Sequence, residues 1–428
     1  MKKWIIYSCV LLMMCPLFVK AEEISDITTN QEEVIENKEG QKENESTNTE
    51  IETNTTTESN EEGTTDTSLI ANAKAGILIE ASTGEIIFEK NKDEQLAVAS
   101  MTKMVAQILI LEAIESGKIK WTDEVTASEN ASSMGGSQIY LSTGETLTVE
   151  EMMKGISMAS ANDATVAMAE FLAGTEVEFV KQMNEKVKEL GLKNTNFKNC
   201  TGLDEEGHYS SAYDMAVIAR ELLKHEDILK FSSIYEDYLR EDTDNKFWLV
   251  NTNKLVRLYD GADGLKTGHT DAAKYCLAAT AKKDDMRLIA IVLGEEESKV
   301  RNSETMALLD YGFNNYQLTV VKAKDEIIQE INLDKATVEK VSLVPILDIG
   351  VLTKKNDSKK EYQYEVKVDS LTLPVKKGDV VGKVIVKDND TVITEGDLTV
   401  TENIEPLSFL QMLNKTFKDI ISGNCSFN

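Results

Sequence analysis

Residues 95–104 read Gln-Leu-Ala-Val-Ala-Ser-Met-Thr-Lys-Met, and apolar residues at helical spacing follow over residues 104–115. Within this stretch, Ser100 and Lys103 are three residues apart. Positions i and i+3 share one face of a helix, so the Lys103 amine can reach the Ser100 hydroxyl. The pattern predicts a serine nucleophile at the N-terminus of a buried helix, where the helix dipole favours a developing anion.

The group that activates this serine is predicted to be a lysine. A serine hydroxyl is a poor nucleophile until a neighbour takes its proton. The chain has three histidines, and none lies in a recognisable triad motif: His208, His225 and His269. Lys103 can serve as the base if burial and a second cation, Lys266, lower its pKa.

Two later triplets complete the pattern, Ser160-Ala161-Asn162 and Lys266-Thr267-Gly268. Ser-x-x-Lys alone recurs by chance in surface helices, but three such motifs in this order are far more specific. Together they resemble the serine penicillin-recognising enzymes, and most closely the low-molecular-mass penicillin-binding proteins that are D-alanyl-D-alanine carboxypeptidases. Residues 261–270, Gly-Ala-Asp-Gly-Leu-Lys-Thr-Gly-His-Thr, are also similar to that family, and the resemblance extends over roughly residues 70–400.

The resemblance implies a reaction and a role for each motif residue. Ser100 attacks the carbonyl of a terminal D-Ala-D-Ala bond, Lys103 accepts its proton, and water then hydrolyses the acyl-enzyme. Ser160 relays a proton between Lys103 or Lys266 and the leaving amine, and Asn162 donates a hydrogen bond to the substrate amide. The expected partners are peptidoglycan stem peptides, with β-lactam antibiotics as covalent inhibitors.

The third motif is expected to bind substrate. By the same resemblance, Lys266 supplies positive potential, and Thr267, followed by Gly268, holds the substrate carboxylate. The backbone N–H of His269 forms an oxyanion hole with that of Ser100. Arg301 steers the carboxylate toward the site; the alternative is a surface arginine beside residues 295–297, which are all glutamates.

No cofactor is expected for this family, and no metal site is predicted, because the histidines are scattered and the carboxylates lack ligand spacing. Two other functions stay open. A β-lactamase shares the motifs, although class A enzymes use an extra glutamate, and Glu170 lies too near the middle triplet to fill that role. A non-catalytic penicillin sensor or scaffold would have no reason to keep all three motifs.

The N-terminal part of the 428-residue chain is predicted to be an export signal followed by a spacer. Residues 1–21 combine Lys2 and Lys3 with an apolar run and a Val-Lys-Ala ending, which predicts a secretory signal peptide; a retained anchor is the alternative. Residues 22–68 carry 15 acids against 2 lysines and no aromatic residue, which predicts a disordered acidic linker. The net charge of −28 argues against nucleic-acid binding.

The alternation of elements predicts an α/β catalytic domain over residues 69–316. A hairpin over 75–89 and strands over 264–270, 275–282 and 286–293 enclose a helical middle, and a helix over 303–311 follows. This order indicates a sheet with helices on both faces and an inserted all-α subdomain. The resemblance makes it a β-lactamase/transpeptidase-like sheet.

The remainder is predicted to be a small all-β sandwich domain over 317–402 and an amphipathic helix over 403–428. The helix is too short and polar to span a bilayer. We expect it to attach the protein to the outer face of the cytoplasmic membrane; the alternative is packing on its own β domain. Its apolar residues are Leu407, Leu410, Leu413, Phe417, Ile420 and Ile421.

The cysteine count predicts no disulfide framework. Cys9 and Cys15 belong to the signal, and Cys200, Cys276 and Cys425 remain, an odd number without metal-ligand spacing. A bridge between Cys200 and Cys276 stays open, because the sequence alone does not place the two sulfurs.

Overall fold

The structure is a computed structural model that describes residues 67–333, 335–358, 360–369 and 371–422. The predicted signal peptide lies outside the described residues. So does the acidic linker up to residue 66, while its last two predicted residues begin a 3₁₀ turn, Thr67–Ile70.

The described chain contains the following elements in sequence order. The strands are β1 (Ala75–Glu80), β2 (Ile86–Lys90), β3 (Glu124–Thr126), β4 (Thr146–Thr148), β5 (Glu236–Leu239), β6 (Phe247–Val250), β7 (Ala262–Thr270), β8 (Lys274–Lys283), β9 (Met286–Glu295), β10 (Tyr316–Lys322), β11 (Gln329–Asn332), β12 (Lys340–Pro345), β13 (Ile349–Lys354), β14 (Gln363–Val368), β15 (Gly382–Asp388) and β16 (Thr391–Val400). The helices are α1 (Lys103–Glu115), α2 (Glu129–Ser132), α3 (Val149–Lys154), α4 (Asn162–Ala173), α5 (Glu176–Glu189), α6 (Ala212–Lys224), α7 (Leu229–Ser232), α8 (Leu255–Leu258), α9 (Ser298–Asn315) and α10 (Phe409–Ser422).

The α/β domain is built on an antiparallel five-stranded sheet with the order β2-β1-β9-β8-β7. All six residues of β1 and all ten of β9 except Arg287 are buried, because helices cover both faces of the sheet. Leu308, Leu309 and Phe313 of α9 form the core on one face. Helices α1 and α6 contribute to the larger core that covers the other face. The predicted α/β sheet with an inserted helical region is confirmed.

Three local features differ from the prediction. The helix expected over 303–311 extends from Ser298 to Asn315. Within the predicted helical middle, α3 ends at Lys154 and a π-helical turn follows over Gly155–Ala159. The hairpin of β5 and β6 has no counterpart in the prediction, since each strand has only four residues and falls between helical segments.

The C-terminal domain is all β, as predicted. Strands β11, β12, β16, β15 and β14 form one antiparallel sheet in that order, and β10 pairs with β13. Its core is aliphatic and contains, among others, Leu343, Val384, Leu398 and Val400.

Helix α10 follows this domain and exposes its apolar face. Phe409 and Ile421 are 79% and 82% exposed, and Leu410, Leu413 and Phe417 are exposed as well. These side chains therefore do not pack on the β domain, which was the alternative to membrane attachment. No helix in the described part of the chain is long and apolar enough to cross a membrane.

Cys200 and Cys276 are both buried and unbridged, so the open disulfide question is answered for this pair. The other three cysteines lie outside the described residues.

Candidate active site

The predicted contact between Ser100 and Lys103 is present. Residues Ala99–Thr102 form a 3₁₀ turn, and α1 begins at Lys103. The Lys103 Nζ donates to Ser100 Oγ at 2.9 Å and to the carbonyl oxygen of Thr201 at 2.6 Å. Ser100 Oγ also lies 3.4 Å from that carbonyl, which sequence reasoning did not single out.

Burial lowers the pKa of the Lys103 amine to about 7, against opposing effects from Cys200 and Asp163. The side chain is 0% exposed, and desolvation disfavours its charged form. We expected Lys266 to be the second cation that lowers the pKa of Lys103. The pKa of Lys266 is itself held well below its ordinary value, first by burial and then by the charges of Lys103 and Arg301.

Ser160 ends the π-helical turn with φ of 61°, a left-handed conformation that is unusual for serine. Its Oγ accepts a hydrogen bond from Lys266 Nζ at 2.9 Å. The same Nζ donates to the carbonyl oxygen of Thr267 at 2.9 Å. The strained backbone therefore places the second hydroxyl on the second amine, which is a recurrent use of such strain at functional sites.

Asn162 is the first residue of α4, and its amide is aligned by the preceding loop. Its Nδ2 donates to the carbonyl of Gly135 at 2.7 Å, and its backbone N–H donates to Ser137 O at 2.7 Å. Its Oδ1 is buried and has no partner. Asn162 therefore has an unpaired acceptor, and its Nδ2 keeps a second N–H for the donor role that we expected.

Asp163 organises the loop beside Asn162 and was missed by sequence reasoning. Its carboxylate accepts from the backbone N–H groups of Ile139 at 3.1 Å and Leu141 at 3.0 Å, and from Ala164 N at 2.9 Å. The sequence signal was present, since an acid in the first turn of a helix favours such contacts.

The third motif lies on β7, at the edge of the sheet. Thr267 Oγ1 donates to Thr252 Oγ1 at 2.8 Å, which fixes its hydroxyl. A Cβ at Gly268 would lie 2.5 Å from the carbonyl oxygen of Val98. Glycine is therefore needed for β7 to approach the turn that carries Ser100.

Gly202 makes a still closer approach to the turn that carries Ser100. Its φ is +83°, and a Cβ there would lie 1.9 Å from the carbonyl oxygen of Ala99. Asn199 Oδ1 accepts from Gly202 N at 2.7 Å and from Thr201 Oγ1 at 3.1 Å. These contacts hold the Thr201 carbonyl against Ser100 and Lys103.

The histidines have no place as catalytic bases. His208 Nδ1 accepts from Lys198 N at 3.2 Å, so its Nε2 donates to Thr102 Oγ1, which lies at 2.8 Å. Burial lowers its pKa to about 4. His225 is paired with Glu115 at 2.9 Å, and the His269 ring packs on Tyr275 with centroids 4.1 Å apart.

Arg301 is 5% exposed, so the surface-arginine alternative is wrong. Its guanidinium donates to Asn302 Oδ1 at 2.8 Å and to Cys276 O at 3.4 Å. No carboxylate of the described chain forms an ion pair with it, and its charge acts on Lys266. Arg301 is therefore a buried cation that contacts β8 at Cys276, the residue paired with Gly268. No cluster of three or more potential metal ligands occurs among the described residues.

Comparisons with known proteins agree with this geometry. The family described as D-alanyl-D-alanine carboxypeptidase matches residues 60–297, and that described as penicillin-binding protein 5, C-terminal domain, matches residues 316–406. The D-alanyl-D-alanine carboxypeptidase DacF of Bacillus subtilis (strain 168) is 48% identical over 360 residues, which are 84% of this chain and 92% of that protein.

Two solved structures are also similar. Penicillin binding protein 5 from Haemophilus influenzae has 31% identity and a TM-score of 0.60, over 78% of this chain and 98% of that one. Penicillin-binding protein D2 from Listeria monocytogenes, in its ampicillin-bound form, has 30% identity and a TM-score of 0.51, over 56% and 98%. Since the first family match extends over more than half of the sequence, the chain belongs to the D-alanyl-D-alanine carboxypeptidase family.

Proposed function

We propose that this protein is a serine carboxypeptidase that removes the terminal D-alanine of peptidoglycan stem peptides through an acyl-enzyme on Ser100. The observation that carries the proposal is the Lys103 amine, buried and 2.9 Å from Ser100 Oγ, with its pKa lowered to about 7. An amine that is neutral near physiological pH can accept the serine proton.

The acylation step follows from these contacts. Ser100 Oγ forms a bond to the carbonyl carbon of the penultimate D-alanine, while its proton moves to Lys103 Nζ. The C–N bond then breaks: Ser160 Oγ gives its proton to the leaving amine and takes one from protonated Lys266 Nζ, which donates to it, while Lys103 keeps the proton from Ser100 for its return during hydrolysis. The backbone N–H groups of Ser100 and His269 bind the oxyanion, each contributing ~3 kcal/mol in the transition state. Water then hydrolyses the ester and regenerates Ser100.

Substrate recognition uses three side chains of the site. Asn162 Oδ1, which is buried without a partner, accepts the N–H of the substrate amide. Arg301 and Thr267 attract the substrate carboxylate. That carboxylate also raises the pKa of Lys266, because an opposite charge favours the protonated amine. Binding of the substrate carboxylate thus favours the protonated form of Lys266, and this form supplies the positive potential.

The β-lactamase alternative lacks its extra base. Glu170 lies on α4 two turns beyond Asn162 and accepts from Asn130 Nδ2 at 2.9 Å. Within the described chain, no glutamate hydrogen-bonds Ser100 or Lys103. We therefore propose that β-lactams acylate Ser100 and that the resulting acyl-enzyme is hydrolysed slowly.

The proposed activity is tested by incubating the protein with a muropeptide pentapeptide and measuring D-alanine release. Release supports the carboxypeptidase and excludes a non-catalytic sensor or scaffold. Rapid turnover of penicillin without D-alanine release would instead identify a β-lactamase.

Acylation is expected to depend on pH through Lys103. The amine is a base only when neutral, so its lowered pKa of about 7 makes the rate rise about tenfold per pH unit in acid and level off above neutrality. The measurement is the second-order rate of penicillin acylation between about pH 5 and about pH 10, with circular dichroism to confirm folding at each pH. A flat profile over that range contradicts a lysine base.

We also propose that the protein acts outside the cytoplasmic membrane and is attached to its outer face by α10. The helix exposes Phe409, Leu410, Leu413, Phe417 and Ile421. Lys415 and Lys418 lie in the same helix and suit anionic headgroups. Burying four such apolar side chains contributes on the order of 6–10 kcal/mol before ordering costs.

Removing α10 is expected to release an active enzyme. Truncation after Glu405 deletes the exposed apolar face and leaves the catalytic domain intact, so hydrolysis of small peptides stays unchanged. The measurement is the distribution of the protein between membrane and soluble fractions after signal-peptide cleavage. The matched full-length variant carries Leu410→Glu and Phe417→Glu, and it should also move to the soluble fraction with unchanged hydrolysis of small peptides. Truncated protein that remains in the membrane fraction would rule out α10 as the anchor.

A further inference from the structure

Glu176 is a partly buried carboxylate that lies outside the three motifs and contacts a segment beside the active site. It is the first residue of α5, and its Oε1 accepts from Cys200 N at 3.1 Å and from Cys200 Sγ at 3.2 Å. Cys200 immediately precedes Thr201, whose carbonyl oxygen contacts Lys103 and Ser100. The reaction as proposed uses neither Glu176 nor Cys200.

The Thr201 carbonyl lies between two backbone N–H groups that side chains restrain. On one side, Glu176 binds the N–H of Cys200. On the other side, Asn199 Oδ1 accepts from Gly202 N at 2.7 Å. The peptide group between Thr201 and Gly202 is planar, so its N–H and C=O point in opposite directions and a restraint on one orients the other. The direction of the carbonyl is therefore set from both ends.

Helix α5 is a rigid support for the contact with Cys200. Phe179 of this helix is fully buried in the core that also contains residues of α1. Lys186, in the C-terminal half of α5, pairs with Glu112 of α1 at 2.7 Å. Because α1 begins at Lys103, the same pair of helices holds both the amine and the segment that carries its carbonyl partner.

The Thr201 carbonyl determines where the Lys103 amine presents its lone pair. A neutral amine has two N–H groups and one lone pair, and it acts as a base only through the lone pair. When one N–H is donated to Thr201 O at 2.6 Å, the lone pair can accept the Ser100 hydroxyl proton across the 2.9 Å contact. A carbonyl that turned away would leave the amine free to rotate and would remove an acceptor from its protonated form.

We propose that Glu176 is a positioning residue for acylation, in an inference that rests on the proposed function. Its bond to Cys200 N holds the Thr201 carbonyl in place. That carbonyl in turn aims the Lys103 lone pair at Ser100. Glu176 contacts none of the reacting atoms and acts through the backbone. Its acceptor oxygen matters more than its charge, because its partner is a neutral N–H group.

The test is the pH profile of penicillin acylation for full-length Glu176 variants, between about pH 5 and about pH 10. Glu176→Ala should lower the plateau rate about tenfold or more, because the base is no longer aimed at the serine. The acid limb should also move to lower pH, since the protonated Lys103 amine has lost an acceptor. Glu176→Gln keeps an acceptor oxygen without the charge and should restore both features.

Glu176→Asp is the complementary variant, and it keeps the comparison decisive if the alanine variant does not fold. It retains the charge, but its side chain is one methylene shorter and does not reach Cys200 N. It should therefore reproduce the lower plateau and the shifted limb expected for Glu176→Ala. Thermal unfolding of each variant confirms that a folded protein is being compared.

The titratable groups around Lys103 are the same in all of these variants. They are Asp163 of α4, the Cys200 thiol, His208 and Lys266 of β7. Burial holds the pKa of the Cys200 thiol well above its ordinary value, so the thiol is neutral throughout the acid limb. A shift shown by Glu176→Asp but not by Glu176→Gln therefore reports the lost acceptor rather than a lost charge.

Glu178→Ala is the matched control. Glu178 lies in the same first turn of α5, so both alanine substitutions remove one acid from the same helix terminus. Its exposed carboxylate pairs with Lys181 at 2.7 Å. Loss of such a surface pair should leave the acylation rate within about twofold of wild type at every pH.

D-alanine release by the same variants separates this inference from the proposed function. If the wild-type protein releases no D-alanine but its penicillin acylation depends on Glu176 as described, the proposed activity fails and the positioning role stands. If D-alanine is released and Glu176→Ala and Glu176→Asp have the wild-type profile, the positioning role fails and the activity stands. A loss of rate that Glu176→Gln or Glu178→Ala shares, or an acid limb that does not move to lower pH, also overturns the positioning role.

Discussion

Ser100→Ala should abolish covalent labelling by penicillin and lower D-alanine release by at least ~10⁴-fold, as removal of the nucleophile does in other serine hydrolases. The Ser100 side chain accepts one hydrogen bond from Lys103 and is only partly buried, so its loss leaves the fold intact. The measurements are mass spectrometry of the penicillin adduct and the D-alanine assay.

Ser116→Ala is the matched control. Ser116 caps the C-terminal end of the same helix through a bond from its Oγ to Ala113 O at 3.2 Å. Its loss affects local stability by about 1 kcal/mol or less and leaves acylation within about twofold of wild type. A stoichiometric adduct on the Ser100→Ala protein would refute Ser100 as the nucleophile.

Gly202→Ala should damage both stability and acylation. The added Cβ would lie 1.9 Å from Ala99 O and 2.9 Å from Ser100 N, so the backbone of one segment must move. The clash and the left-handed φ together should cost about 2–5 kcal/mol. Displacement of Ser100 from the Thr201 carbonyl should slow acylation about 100-fold or more, because nucleophile geometry is lost.

Gly191→Ala separates the clash from the backbone penalty. Gly191 has φ of +70° and no atom within 4 Å of its Cβ position, so alanine there meets only the conformational cost of about 1–2 kcal/mol. Thermal unfolding and penicillin acylation of the two variants give the comparison. Equal destabilisation and equal acylation rates would show that the approach of Gly202 to Ala99 has no role in placing Ser100.

The motif chemistry could be predicted from sequence because each motif places its groups locally. Ser100 and Lys103 are on one helical face, and the three strands after residue 260 follow from their apolar runs. The contacts between the motifs and distant parts of the chain could not be predicted from local sequence. The Thr201 carbonyl reaches Lys103 across nearly one hundred residues, and backbone carbonyls carry no sequence signature.

The sequence also does not show which side-chain atoms are already hydrogen-bonded within the protein, and some roles depend on this. Asn162 contains two N–H donors and one acceptor; the structure shows that Nδ2 donates one N–H to Gly135 O and that Oδ1 has no partner. Arg301 lies close in sequence to three glutamates, which left a surface location open as the alternative, but helix α9 turns its side chain inward. The left-handed Ser160 likewise reflects tertiary packing that overrides local preference.

The two buried amines also set how the protein responds thermodynamically to pH. Lys103 has an ordinary pKa of 10.5 that falls to about 7 on folding, so between these values the unfolded chain binds more protons than the native one. Stability therefore increases with pH through that window, and below it the buried amine costs the native state a few kcal/mol. Lys266 acts in the same direction. An anionic ligand raises the pKa of these amines, so its binding takes up protons and stabilises the native state.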